Sequence, residues 1–168
     1  MFTSDTSTHK YINLDDLVVR EMTNDEFRRY CDFSFENFLT ESAKSSGQSI
    51  VELRKRLGKA PDTRSANDLW FIVLLKNEGA GFVWIQLRPD LKVAFGYDIF
   101  LDPKFRSQGI GRETISRCAE AVRSHGIQCV KICEFEDNAI ARDLYQSLGF
   151  KEIDFNVERR QYMLELSV

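Results

Sequence analysis

The stretch Ile99-Phe100-Leu101-Asp102-Pro103-Lys104-Phe105-Arg106-Ser107-Gln108-Gly109-Ile110-Gly111-Arg112 has the residue types for holding an anion. An apolar strand pattern stops at Asp102-Pro103, and a helical pattern starts at the glycines. The first N–H groups of a helix lack helical partners and point outward. With the positive end of the helix dipole they suit a pyrophosphate. Gly109 and Gly111 have no Cβ, so phosphate oxygens can approach the main chain. Arg106 and Arg112 add positive charge. Two glycines at a helix start also serve as a plain N-terminal turn, so this segment alone leaves both uses open. A P-loop does not fit, because Arg112-Glu113 follows Gly111 where Lys and Ser or Thr are required. A dinucleotide fingerprint fits poorly too: Thr114 stands at its third Gly or Ala, and the segment lies late in the chain.

The rest of the chain must supply the frame. At 168 residues a single domain over 1–168 is expected, with enough length for a core without disulfides or a structural metal. Met1 to Lys10 reads as a polar, flexible leader without the apolar centre of a secretory signal. No apolar run reaches a membrane span. The formal charge of −3 disfavours a nucleic-acid binder that works by bulk electrostatics. Cys31, Cys118, Cys129 and Cys133 sit in apolar runs and read as reduced, mostly buried thiols of a cytoplasmic protein, Cys133 as a buried strand residue. His9 and His125 do not complete a zinc set with them, so no metal is expected.

Strand and helix patterns alternate along the chain. Leu17 to Arg20 reads as a strand. Thr23 and Glu26 have capping-box spacing, and Phe27, Tyr30, Cys31, Ser34 and Phe38 follow at helical spacing, Ser34 alone being polar. Ser49 caps a short helix ended by Gly58. Leu69–Lys76, Gly81–Leu87 and Val93–Leu101 read as three strands. A helix through Ile115, Cys118 and Val122, a strand 127–135, a helix 138–148 and two last strands complete the order β-α-α-β-β-β-α-β-α-β-β. Hairpins imply antiparallel pairing, and the β-α-β over 93–135 implies one parallel pair. The expected fold is α/β: a mixed, largely antiparallel twisted sheet of six to seven strands with helices on both faces.

A second segment changes the weight of the first. Asn138-Ala139-Ile140-Ala141-Arg142-Asp143-Leu144-Tyr145-Gln146-Ser147-Leu148-Gly149-Phe150 begins about 30 residues after the glycines. Together the two resemble the GNAT superfamily of acyl-CoA-dependent N-acetyltransferases. Arg106-Ser107-Gln108-Gly109-Ile110-Gly111 fits that family's Gln/Arg-x-x-Gly-x-Gly/Ala motif. Asn138, Ala141, Leu144-Tyr145 and Gly149-Phe150 fit its following motif. The resemblance covers residues 70–166 well.

The resemblance implies that strands 93–101 and 127–135 splay and admit the pantetheine arm of acetyl-CoA. It assigns main-chain groups of Ile99, Phe100 and Leu101 to the pantetheine and acetyl group, one N–H polarising the thioester. It assigns Arg106, Ser107, Gln108, Gly109, Ile110, Gly111 and Arg112 to the pyrophosphate, and Asn138 to the arm. Tyr145 would protonate the departing CoA thiolate. The acceptor would be an amine, of a small molecule or of a protein, attacking directly. No base carries over: the glutamates of two better-known branches are replaced here by Cys133 and Phe95. Asp98, Glu134, Glu136 and Glu41 remain candidates, beside a water chain to a distant carboxylate. Alternation puts Asp98 and Leu101 on opposite faces and Tyr97 with Ile99 and Leu101. Tyr97 and Trp84 are candidates to line the acceptor site.

Plainer uses stand beside these. Tyr145 lies on an apolar helical stripe, Asn138 suits a helix N-cap, and Trp84 suits a core. The missing glutamates also fit an acyl-CoA-binding sensor with little turnover. A homodimer through the C-terminal strands is open.

Overall fold

Thr23 starts the first helix by the mechanism its spacing predicts. Its hydroxyl accepts from Glu26 N at 3.2 Å, and the Glu26 carboxylate accepts from Thr23 N at 2.8 Å. Arg20 pins the same carboxylate at 2.9 Å and holds it down to about pKa 2. Gly47 ends the helix in the left-handed region at φ 70°.

The computed structural model describes residues 14–168; the expected leader and His9 lie outside them. Chain order runs β1 (Leu17–Glu21), α1 (Asn24–Ser46), α2 (Ile50–Leu57), β2 (Asp68–Leu75), β3 (Glu78–Arg88), β4 (Val93–Leu101), α3 (Ile110–Ser124), β5 (Cys129–Phe135), α4 (Ala139–Ser147), β6 (Lys151–Asn156) and β7 (Gln161–Ser167). The seven strands form one sheet in the order β1-β2-β3-β4-β5-β7-β6. Among the described residues only β4 and β5 pair in parallel. This is the expected mixed sheet and element order. Among the described residues no helix is long and apolar enough to cross a membrane.

The two faces bury different chemistry. One carries Val73, Ala94, Val130, Ile132 and Leu164 against Ile110, Cys118 and Val122 of α3 and Tyr145 of α4. The other is aromatic: Trp70 and Phe82 pack with Phe27 and Cys31 of α1. Truncating Trp70 or Phe82, both almost wholly buried, would cost roughly 3–5 kcal/mol.

The sheet opens between its parallel strands. Val93 to Gly96 pair with Cys129 to Ile132, and there the ladder stops. Beyond it, Asp98 to Leu101 stay with β3 while Cys133 to Phe135 stay with β7. The cause is a bulge. Trp84 faces Asp98 and Ile85 faces Gly96, leaving Tyr97 as the extra residue. Such an insertion bends the strand and deepens its twist. Gly96 stands at the last point of contact, where a Cβ would lie 2.8 Å from Ile132 Cγ2.

The bulge corrects one expectation. Strict alternation groups Tyr97 with Ile99 and Leu101. Instead its ring stacks on Trp84, 4.7 Å between centroids, on the α1 face. A second correction concerns Cys133, which is exposed rather than buried. Val130, Ile132 and Glu134 take the inward positions of β5, so period 2 turns Cys133 outward on the other face. All four thiols are free.

Gly81 on β3 needs its missing side chain, because a Cβ there would fall on the Phe100 carbonyl oxygen. Gly81→Ala is therefore expected to cost more than about 2 kcal/mol. Chemical denaturation reads this directly, and an unchanged midpoint would contradict the tight β3–β4 approach.

Candidate functional site

The gap is bordered by two helix starts and two acids. At the α3 end, Gly109 takes φ 82° and Ser107 φ 57°, turning the chain sharply into the helix. The first helical bond here runs from Glu113 N to Gly109 O, so the N–H groups of Ile110, Gly111 and Arg112 have no partner within α3. Gly111 keeps this start close to its neighbours: a Cβ would lie 3.4 Å from both Leu101 Cδ1 and Leu144 Cδ2. Arg106 donates from Nε to Leu101 O at 2.8 Å, and its guanidinium lies 5.7 Å over the Phe100 ring. Arg112 donates to Ser147 Oγ and Gln108 to Lys104 O, each at 2.6 Å. Arg106, Ser107, Gln108, Gly109 and Arg112 are exposed, while Ile110 is buried as the anchor. Ile99, Phe100 and Leu101 lie in the stretch of β4 that β5 no longer covers.

Asn138 caps α4, accepting from Ala141 N at 3.3 Å. Its Nδ2 donates to Glu134 Oε1 at 2.9 Å, so the cap is tied to β5. Tyr145 is 5% exposed, with its ring edge-on to Phe150 at 5.5 Å. Among the described residues no protein group hydrogen-bonds its hydroxyl. Burial, then the nearby carboxylates of Glu134 and Asp98, push its phenol well above the usual range. It stays protonated at every working pH.

The two acids approach the gap from opposite faces. Glu134 shares the α4 face with Ile132, and burial raises it to about 7 against bonds from Phe135 N and Asn138. Asp98 turns to α1, where Ser34 Oγ donates to its Oδ2 at 2.5 Å. Burial raises Asp98 to about 6, opposed by the bonds from Ser34 and Ile99 N. The charge on Asp98 helps hold Glu134 up.

Around Asp98 the α1 face is lined with rings. Trp70, Trp84 and Tyr97 stack in a row at 4.9 and 4.7 Å. Phe33 meets Phe100 edge-on at 4.9 Å, and Phe100 stacks on Phe82 at 5.6 Å. Trp84 Nε1 donates to Asp68 at 3.2 Å, which fixes the row. Glu41 lies two turns beyond Ser34 on α1 and pairs with Lys44 at 3.9 Å. Glu136 pairs with Arg160 at 2.8 Å. A cavity of about 90 Å³ lies over the face of β5, β7 and β6, lined by Cys133, Asp154, Asn156, Arg159, Gln161 and Met163.

The structure thus gathers Tyr97, Asp98, Glu134, Asn138 and Tyr145 at the gap, with the 106–112 segment at its end. Glu41 stands apart along α1, and Trp84 sits behind Tyr97. Ser34 escaped the sequence reading as a site residue. Its one signal was being the polar exception on an apolar stripe.

A mixed sheet that parts between its one parallel pair is the architecture of N-acetyltransferases. The profile of the acetyltransferase (GNAT) family matches residues 23–150, and the chain belongs to that family. The N-acetyltransferase YycN of Bacillus subtilis, itself uncharacterised, is 26% identical over 157 residues, 86% of this chain and 98% of that one. The PaiA N-acetyltransferase of Thermoplasma acidophilum, solved in complex with coenzyme A, superposes with a TM-score of 0.64 at 14% identity, over 90% of this chain and 99% of that one. The ribosomal-protein-S18-alanine N-acetyltransferase of Escherichia coli gives 0.60 at 18% identity, over 90% and 93%. At these identities the superpositions show the fold alone.

Proposed function

We propose that the chain transfers an acetyl group from acetyl-CoA to a primary amine by direct attack. The observation that carries this reading is the gap itself, which begins where the β4–β5 ladder ends and reaches the open start of α3. Two local features fit the donor. Glycine at 111 lets the helix start pack closely on Leu101 and Leu144, which brings its free N–H groups to the end of the gap, and the interior Tyr145 hydroxyl has no protein partner among the described residues. The coenzyme A held by PaiA supports the same donor.

The N–H groups from Ser107 to Gly111, with Arg112, hold the pyrophosphate against the helix dipole, while the Arg106 N–H is already given to Pro103 O and only its side chain is left to face the anion. Main-chain groups of Ile99, Phe100 and Leu101 bond the pantetheine and acetyl group, and one N–H polarises the thioester carbonyl. Asn138, oriented by Glu134, steadies the arm. With Tyr145 and the 106–112 segment on the α3–α4 side, the amine enters from the α1 side. There Asp98 takes the proton that the ammonium must lose before its nitrogen can attack. As the C–N bond forms and the C–S bond breaks, Tyr145 gives its proton to the sulfur, and the surplus proton on the new amide nitrogen returns the phenolate to the phenol. Asp98 supplies the base that the absent family glutamates would otherwise provide, which weighs for turnover over a sensor.

Acetyl-CoA at 100 times its Kd should stabilise the protein by about 2.7 kcal/mol. At this size that is about 5–10 °C in Tm. Gly109→Glu places a side chain and a negative charge in the cradle, so its Tm should no longer respond to acetyl-CoA. Absence of any shift in the wild type at millimolar acetyl-CoA would overturn the reading.

A further inference from the structure

The bulge at Tyr97 does more than part the strands. In a regular strand Tyr97 and Asp98 point to opposite faces. Here both meet the α1 face, one as an aromatic surface and the next as a carboxylate. Tyr97 is 50% exposed and Phe33 44%, so each presents ring surface to an incoming molecule. Their backs are fixed: Tyr97 stacks on Trp84, and Phe33 abuts Phe82 and Phe100. Ring faces carry negative potential and attract ammonium groups. A carboxylate close to the amine nitrogen would meet ring faces and the Asp98 carboxylate together, and both repel it.

We infer that the acceptor is a cationic aliphatic amine with no carboxylate beside its nitrogen, drawn in over Tyr97 and Phe33, with Tyr97 the residue that selects it. The inference rests on the acetyltransferase reading above and narrows its acceptor. Apolar stem and charged head are both served: the rings cover the methylenes, and Asp98 receives the head. Tyr97 makes this contact through its ring. Its hydroxyl is dispensable, and its substitution should raise KM while leaving kcat and donor binding in place.

The test uses the full chain with acetyl-CoA and two acceptors of equal stem, pentylamine and norleucine, following CoA release. Pentylamine should exceed norleucine in kcat/KM by tenfold or more. Tyr97→Ala should raise KM for pentylamine about tenfold, and Tyr97→Phe should keep it near wild type. Equal or better use of norleucine would overturn the inference and turn the acceptor's anionic end toward Arg159, leaving acetyl transfer intact. A Tyr97→Ala variant with unchanged KM would overturn it too. Transfer to neither amine, with acetyl-CoA still raising Tm, would sink the acceptor assignment alone. Failure of acetyl-CoA to bind would sink both this inference and the reading beneath it.

Discussion

Tyr145→Phe should lower kcat by about 10²–10⁴-fold, the usual worth of a positioned proton donor. Donor affinity should change little. The substitution removes one oxygen and keeps the ring that packs against Phe150. That oxygen has no protein partner among the described residues, so its loss orphans no buried group. A fold defect is therefore not expected, and Tm in buffer should hold. The phenol remains neutral because burial, Glu134 and Asp98 all oppose the phenolate. It can give a proton but does not serve as a resting base. The loss should shrink with a thioester whose thiol is more acidic, because such a thiolate departs with less help. An unchanged kcat, or a loss independent of the leaving thiol, would remove Tyr145 from the proton path and leave it a core residue.

What was legible in the sequence was local. Thr23 and Glu26 stand three apart, and their reciprocal bonds follow from helix geometry. Gly109, Gly111, Asn138 and Tyr145 lie in two short segments whose spacing places them at helix starts and on one stripe. The mixed sheet followed from hairpins and one crossover. What was illegible depends on the sheet as a whole. Ser34 and Asp98 are 64 residues apart, and their bond exists only because α1 crosses β4 at that point. Tyr97 changed faces because a bulge breaks alternation, and no pattern in Ala94-Phe95-Gly96-Tyr97-Asp98 marks its position beyond a glycine. Cys133 was misplaced by composition: an apolar run suggested burial, while its inward neighbours had already filled the covered face.

Asp98→Asn tests the other end of the reaction and should cost kcat/KM at least about 10²-fold near pH 7. The pH profile gives the sharper readout. A base with pKa about 6 is charged above that value and lost below it. The wild-type kcat/KM should therefore rise as pH climbs through about 6, then level while the amine remains an ammonium. Without the base, only amine already deprotonated in solution can react. The Asn variant should thus lose the limb near 6, climb toward alkaline pH, and recover part of its activity there. Stability should move the opposite way. The folded pKa exceeds the usual carboxylate value of 3.8, so burying the ionised form opposes folding. That penalty is absent below about pH 3.8, grows up to about pH 6, and is constant above. Asp98→Asn should then be at least as stable as wild type at pH 7, and its relative stability should fall on acidification. Ser34 supplies the control. Its hydroxyl favours the carboxylate, so Ser34→Ala should shift the activity limb to higher pH while the plateau survives. A limb that stays near 6 in Asp98→Asn would assign that ionisation to another group, with Glu134, at about 7 across the gap, the next to substitute.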